Sequence, residues 1–593
     1  MSTDGNEKYT NKYHPDFVPG TINFMLDKID ADNLENMDKQ SSLKVTKDGI
    51  VLHPQPSDSP NDPLNWSRWT KILQFGLLLF ITGFTAATSN DAGSVQDSMN
   101  EIYDISYDSM NTGAGVLFIS IGLSTYFLGP TSSLYGRKLT YFICIVVGLI
   151  GAIWFGYAKR TSDTIWSQLF VGASEGCAEA TVQLSISDMY FAHQLSTNLT
   201  MYILATSVGT YLGPLIAGFI VQYAGFRWVG WIAAIISGVL IVIMVLTQYE
   251  TAFDRTKYYG KIDSSSIGNE SAEGSTADKK LLDEEKSKGQ KVSAHAELAS
   301  SSSLNSTGNG DSEAAKGMYG TGANESRISF WKRVRLITPS PNLRGTGFKQ
   351  YFNLLFLMLR VFWFPPVLLS GILWGLQDAF LTFYLTTEDD LYYYPPWNYS
   401  DTGVALMNVP CAIGAFIGCL YAGWFSDQVV FRLAKRRGGI HEAEDYLWML
   451  ITILIVDPIG LMIFAVGTDR QWSWKITYTI GLGFIGFSFG CAGDIAMSYL
   501  MSSYPEMILE GMIGVSLINN GIGCIFTFTC SPWLDVMSNT KTYAILSGLQ
   551  VGACLMIIPF MKYGKSMRLW TKKYYISYIE ARDGVSSGNA LSS

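Results

Sequence analysis

SSSIGNESAEGSTADKKLLDEEKSKGQK, residues 264–291, is rich in serine, glycine and charge. Such a segment buries too little apolar surface to offset the entropy of ordering it, so disorder is predicted across about 263–328. The chain on either side is the opposite in character. A helix needs roughly 20 mostly apolar residues to cross ~30 Å of hydrocarbon. Six such runs precede the segment, at 72–92, 112–131, 139–158, 165–189, 199–222 and 228–248. Six follow it, at 363–387, 402–425, 446–468, 476–501, 512–533 and 543–561. The expected fold is all-α and membrane-spanning, with six helices on each side of a linker.

Composition agrees. The 593 residues are 48% hydrophobic and 16% charged, with 16 Trp, 32 Tyr and 32 Phe to anchor helices at the interfaces. The net charge of −8 and the lack of a basic surface argue against a nucleic-acid partner. All eight cysteines fall inside apolar runs, which fits inert packing and neither disulfides nor a metal site. No nucleophile–base pair or phosphate loop is visible, so an enzyme is not expected and no cofactor is implied. The polar first ~60 residues hold no cleavable signal peptide, and the first span would itself direct insertion.

Lys and Arg near the span ends set orientation. Arg68, Lys71, Arg137, Lys138, Lys332, Arg333, Arg335, the run Arg432 to Arg437, and Lys562 to Lys573 lie on one side. Asp97, Glu101, Asp104, Asp108, Glu388, Asp389, Asp390 and Asp401 lie on the other. The basic side, with both termini and the linker, is expected in the cytosol. The sequon at Asn398 then faces outside, and those at Asn269, Asn305 and Asn324 are chance matches. The expected division is a cytosolic tail (1–70), a first half (71–250), a linker (251–350), a second half (351–563) and a second cytosolic tail (564–593).

GPTSSLYGRK (129–138) follows span two, and Gly136, Arg137 and Lys138 match the G-x-L-a-D-r-x-G-r-k loop of major facilitator transporters. Ser133 stands where that loop has Asp. The equivalent loop of the second half, GWFSDQ, keeps the acid as Asp427. Such a turn can latch two half-bundles, against the plainer reading of a merely basic loop. SVGTYLGPLIAG (207–218) resembles the Gly-Pro motif of drug:proton antiporters through Gly213 and Pro214, where small residues admit a neighbouring helix. NDPLNWSRWTK, before span one, resembles the lead-in of the fungal twelve-span drug:proton antiporter branch. In span four Gly172 occupies the place of that branch's Arg. TAATSNDAG, ISYDSMNTGAGVLF, FLTFYLTT, PPWNYSD, GDIAMSYL and CIFTFTCS resemble fungal plasma-membrane carriers of polyamines and related organic cations such as histidinol. The resemblance covers about 45–250 and 345–575. It implies a major facilitator fold, a small cationic substrate, the proton as coupling ion and a plasma-membrane location.

Inside the spans stand seven acids, Asp91, Glu175, Glu179, Asp188, Asp378, Asp457 and Asp494, and no Lys or Arg. A buried ionisable group is costly unless paired or facing a wet cavity, so each is a functional candidate. A transported cation would supply the missing counter-charge. Glu175 and Glu179, four residues apart, share a helix face and are expected to exchange a proton for a cation; protonated glutamates bonded to neighbours are the plainer reading. Asp378, with Trp374, Phe380 and Tyr384 nearby, reads as an ammonium site by charge and cation–π attraction. Glu179 and Asp378 are expected to hold the two ends of a polyamine. Asp494 is either an inner-gate acid or a packing hydrogen-bonder. Asp91 is a proton-coupling candidate or a loop acid, Asp457 structural, and Asp188 a gate or loop contact. Of Asn519 and Asn520 only one can face a cavity, and Asn519 is taken as the lining residue. The expected function is proton-coupled uptake of polyamines by a monomer in the lipid bilayer. Export of lipophilic cations or of vacuolar polyamines, and a transporter-like nutrient sensor, are the alternatives.

Overall fold

The computed structural model describes residues 12–23, 52, 54–255, 325–341 and 343–587. The predicted disordered segment and the linker sequons therefore lie, but for 325–328, outside the described residues. Among those described, eleven helices are long and apolar enough to cross a membrane. The twelfth expected span is a continuous helical run that is more polar than the rest. It comprises Thr161–Gly176, a π turn Cys177–Thr181 and Val182–Met189. It is span four, which carries Glu175 and Glu179.

The first half holds span one (Arg68–Asn90), span two (Tyr107–Leu134), span three (Arg137–Gly156), span four, span five (Ala192–Ala224) and span six (Arg227–Thr247). The second holds span seven (Pro365–Leu391), span eight (Asn408–Leu420, continued by a π turn and Ser426–Arg436), span nine (Leu450–Asp469), span ten (Gly483–Ser503), span eleven (Ile508–Val536) and span twelve (Asn539–Leu555). Local chemistry explains several of these boundaries. The Ser67 hydroxyl accepts from the Thr70 amide at the start of span one. Pro365 and Pro366 open span seven, where a missing N–H costs nothing. Gly136 takes φ +103° between spans two and three, a backbone state closed to side chains. The halves meet where span two packs on span eleven and span five on span eight.

A layer at the basic end was not foreseen. The expected C-terminal tail is a helix, Ile557–Ser587, and Ile22–Asn23 pairs antiparallel with Ile440–His441 of the loop between spans eight and nine. Arg568, fully buried, binds Glu442 at 2.7 Å and Glu444 at 2.5 Å, and also donates to the Pro19 carbonyl. Glu442 further accepts from Lys565 and Thr21, each at 2.6 Å. Burial alone would raise the Glu442 carboxyl, but the hydrogen bonds from Lys565, Thr21 and Arg568 outweigh it and hold the group below its usual range. A lowered folded value means that the contribution is complete above the unfolded value of about 4.3 and is lost as pH falls through the folded one. Purified protein should therefore lose melting temperature on acidification below about pH 4. Glu442→Gln should lower the neutral-pH melting temperature and flatten that acid limb; a variant with an unaltered acid limb would clear Glu442 of this role.

Candidate functional site

A cavity of about 1120 Å³, mouth included, lies between the halves and runs from mid-bundle towards the acidic end. Four carboxylates line it: Glu175 and Glu179 from span four, and Asp378 and Asp389 from span seven. Among the described residues, no Lys, Arg or His does so. Glu179 sits inside the π turn, a feature that interrupts helices often at functional sites. Its Oε2 is buried without a hydrogen-bond partner. Ser516 of span eleven stands beside it, and the charges of Glu175 and Asp378 act on it. Ser89 stands beside Glu175 and Asn519 beside Asp378. Glu179 and Asp378 thus line one cavity from spans four and seven, near enough for the Asp378 charge to act on Glu179.

The aromatic wall is Trp374 with Phe489 of span ten, ring centroids 5.3 Å apart. Phe380 and Tyr384 do not join it. Both are fully buried, and Tyr384 turns to Asn408 and to the Phe464 ring. Polar side chains reach the cavity from Gln168, Thr206 and Asn111, the last donating to Ser531 across the halves at 2.6 Å. Of the asparagine pair Asn520 lines the cavity, while Asn519 packs its backbone at Gly375 of span seven and turns its side chain to Asp378. Phe489, Gln168 and Asp389 were not singled out from sequence. Asp389 reads there as one more loop acid until span seven is known to run on to Leu391.

The remaining acids lie elsewhere. Asp91 faces a smaller cavity behind spans one, three, four and six, where Thr85, Thr88, Gln168, Ser174 and Ser237 are its polar company. Asp457 accepts from Gln377 at 2.9 Å, tying span nine to span seven. Asp494 is buried in span ten near Thr200 and Asp427, off the central cavity. Among the described residues no three of His, Cys, Asp and Glu form a metal-binding set.

At the basic end the Gly136–Lys138 turn is tied down by its own half and by the linker. The Arg137 and Lys138 amides donate to Glu250, and Arg137 Nε lies 3.1 Å from Asp188. Lys138 Nζ is spent on the carbonyls of Val245, Gln248 and Val334. Glu250 and Asp188 thus do work that Ser133 cannot. Ser133 borders a crevice shared with Glu510 and Arg582 of the other half, and Asp427 accepts from Ser196 of span five. Ser133→Asp should bring a charge to that seam and shift the balance of inward and outward states. Initial-rate transport should show turnover changed several-fold with affinity constant; the reverse pattern would sink the latch. Gly213 and Pro214 sit where spans one and five meet, Gly213 against Ala87, and the Pro214 carbonyl accepts from Ser94.

The family description Major Facilitator Superfamily matches residues 75–528. Protein HOL1 of Saccharomyces cerevisiae (strain ATCC 204508 / S288c) is 53% identical over 594 residues, covering 98% of this chain and 100% of that one. An uncharacterized MFS-type transporter of Schizosaccharomyces pombe is 46% identical over 569 residues, 95% of each chain. The MFS antiporter QDR3 of Candida albicans is 20% identical over 573 residues, 88% of this chain and 81% of its own.

Proposed function

Since this chain belongs to the Major Facilitator Superfamily and is a transporter, we propose that its cargo is an organic cation, a polyamine, taken up across the plasma membrane with a proton as coupling ion. The observation that carries this reading is the cavity with four carboxylates, a Trp374–Phe489 wall and, among the described residues, no base. Acids buried in such a cavity are either protonated or met by an incoming positive charge, and aromatic faces beside them favour an ammonium. Physics also favours uptake. Each positive charge moved inward gains about 2.3 kcal/mol per 100 mV of inside-negative potential, so a polycation is drawn in and an exporter would need several protons to reverse it. In this orientation the exposed Asn398 is an external glycosylation site and both termini are cytosolic. The Gly213–Pro214 pair favours the second reading, proton-driven export of lipophilic cations.

The deciding experiment is labelled spermidine accumulation in cells lacking other carriers, with and without a proton uncoupler. Saturable accumulation that collapses with the uncoupler supports the proposal. Absence of accumulation, with faster efflux from preloaded cells, would establish the export reading instead.

A further inference from the structure

Span seven is one unbroken helix from Pro365 to Leu391. Beyond Trp374, a single stripe of it faces the cavity: Asp378, Leu381, Thr382, Leu385, Thr386 and Asp389. These positions repeat at the three- and four-residue spacing of one helix face, with an acid at each end and a leucine–threonine tract between. The Asp389 carboxylate stands against the turn at Gly93, at the acidic end of the cavity. Asp378 shares the cavity with Glu179 of span four, a residue nine-tenths buried whose Oε2 has no hydrogen-bond partner.

We propose that this stripe is a length gauge for linear polyamines, in which Glu179 and Asp378 hold one terminal ammonium and Asp389 the other. The proposal rests on the cation reading above and goes further, to which cation fits best. At 1.5 Å per residue the eleven residues from Asp378 to Asp389 rise about 16 Å. An extended chain advances roughly 1.2 Å per bond, so the thirteen bonds between the end nitrogens of a tetra-amine such as spermine also span about 16 Å. The nine bonds of spermidine span about 11 Å and the five of putrescine about 6 Å by the same rule. The methylenes of the bound chain lie along Leu381 and Leu385, and the threonine hydroxyls offer acceptors to its inner ammonium groups. Of these three only the tetra-amine engages both ends at once, and it does so without bending.

The test is binding of a homologous series (putrescine, spermidine, spermine and a penta-amine) to purified full-length protein, with uptake measured in parallel. Wild-type affinity should climb from diamine to tetra-amine and gain nothing further from the penta-amine. In Asp389→Asn the tetra-amine to diamine affinity ratio should fall ten-fold or more. The double variant Leu385→Asp with Asp389→Asn places the second acid about one turn, or roughly 6 Å, nearer to Asp378, and its best substrate should become spermidine. Wild-type affinity that is flat across the series, or an Asp389→Asn ratio equal to wild type, overturns the gauge and leaves the cation reading standing. A wild-type protein that binds no amine at all overturns the cation reading and the gauge together. If the asparagine variant fails to reach the membrane, the wild-type series decides alone.

Discussion

Glu179→Gln and Asp378→Asn should each reduce polyamine transport severely while surface expression stays near normal. Both substitutions keep the side-chain shape and remove one charge from a cavity that contains no base among the described residues. A charge-assisted contact to a desolvated ammonium contributes about 2–4 kcal/mol, so affinity should fall roughly thirty-fold to a thousand-fold. Glu179 is the more exposed to this argument, because its buried Oε2 has no hydrogen-bond partner. With the two acids sharing one ammonium, as the length gauge has them, each substitution should penalise monoamines as well as polyamines. Had they stood at opposite ends of a long substrate, a monoamine would survive one of the two changes. Asp457→Asn supplies the contrast: that acid is bonded to Gln377 away from the cavity, so its loss should leave substrate affinity near wild type. Normal spermidine affinity in both cavity variants would make the carboxylates structural and end the cation argument.

Much of this architecture is legible in the residues. Twelve apolar runs, the charge asymmetry of their ends and the acids within them give the bundle and the candidate site directly. What escaped has physical causes. The aromatic partners of Asp378 were chosen by nearness in sequence, yet at 3.6 residues per turn Phe380 lies about 200° round the helix from Asp378, and Tyr384 about 240°. Trp374, one turn away, does face the cavity. The same rotation picks out Leu381, Leu385 and Asp389, so the stripe was available once the end of span seven was known. The π turn at Glu179 leaves no pattern in residue types, because it depends on how span four packs between its neighbours. The basic-end layer was missed for a different reason: Ile557–Ser587 is amphiphilic at its end and charged, and reads as a tail until Glu442 and Glu444 are brought to Arg568 by a loop more than a hundred residues away in sequence.

Gly493→Ala, far smaller as a chemical change than losing a carboxylate, should also cut uptake ten-fold or more. Gly493 lies in the run FGCAGDIAMSY of span ten, and a Cβ there would fall on the six-membered ring of Trp374. The indole is held between that bare backbone and the Phe489 ring, which itself packs edge-on to Tyr211 of span five at 5.7 Å. With no slack behind it, Trp374 can yield only towards the cavity, where it would cover Asp378 one turn further along span seven. Overpacking of this kind costs about 1–3 kcal/mol of stability, less than the effect on a site whose aromatic wall has moved into the substrate's place. Trp374→Phe removes the ring that the new methyl group strikes, so adding it to Gly493→Ala should return part of the lost uptake, although Trp374→Phe alone weakens cation–π contact. Two neighbours that share one volume should be non-additive in this way, the pair less harmful than the sum of the singles. Additive losses, or wild-type uptake in Gly493→Ala at normal surface density, would show that Trp374 is not held in place by the missing side chain.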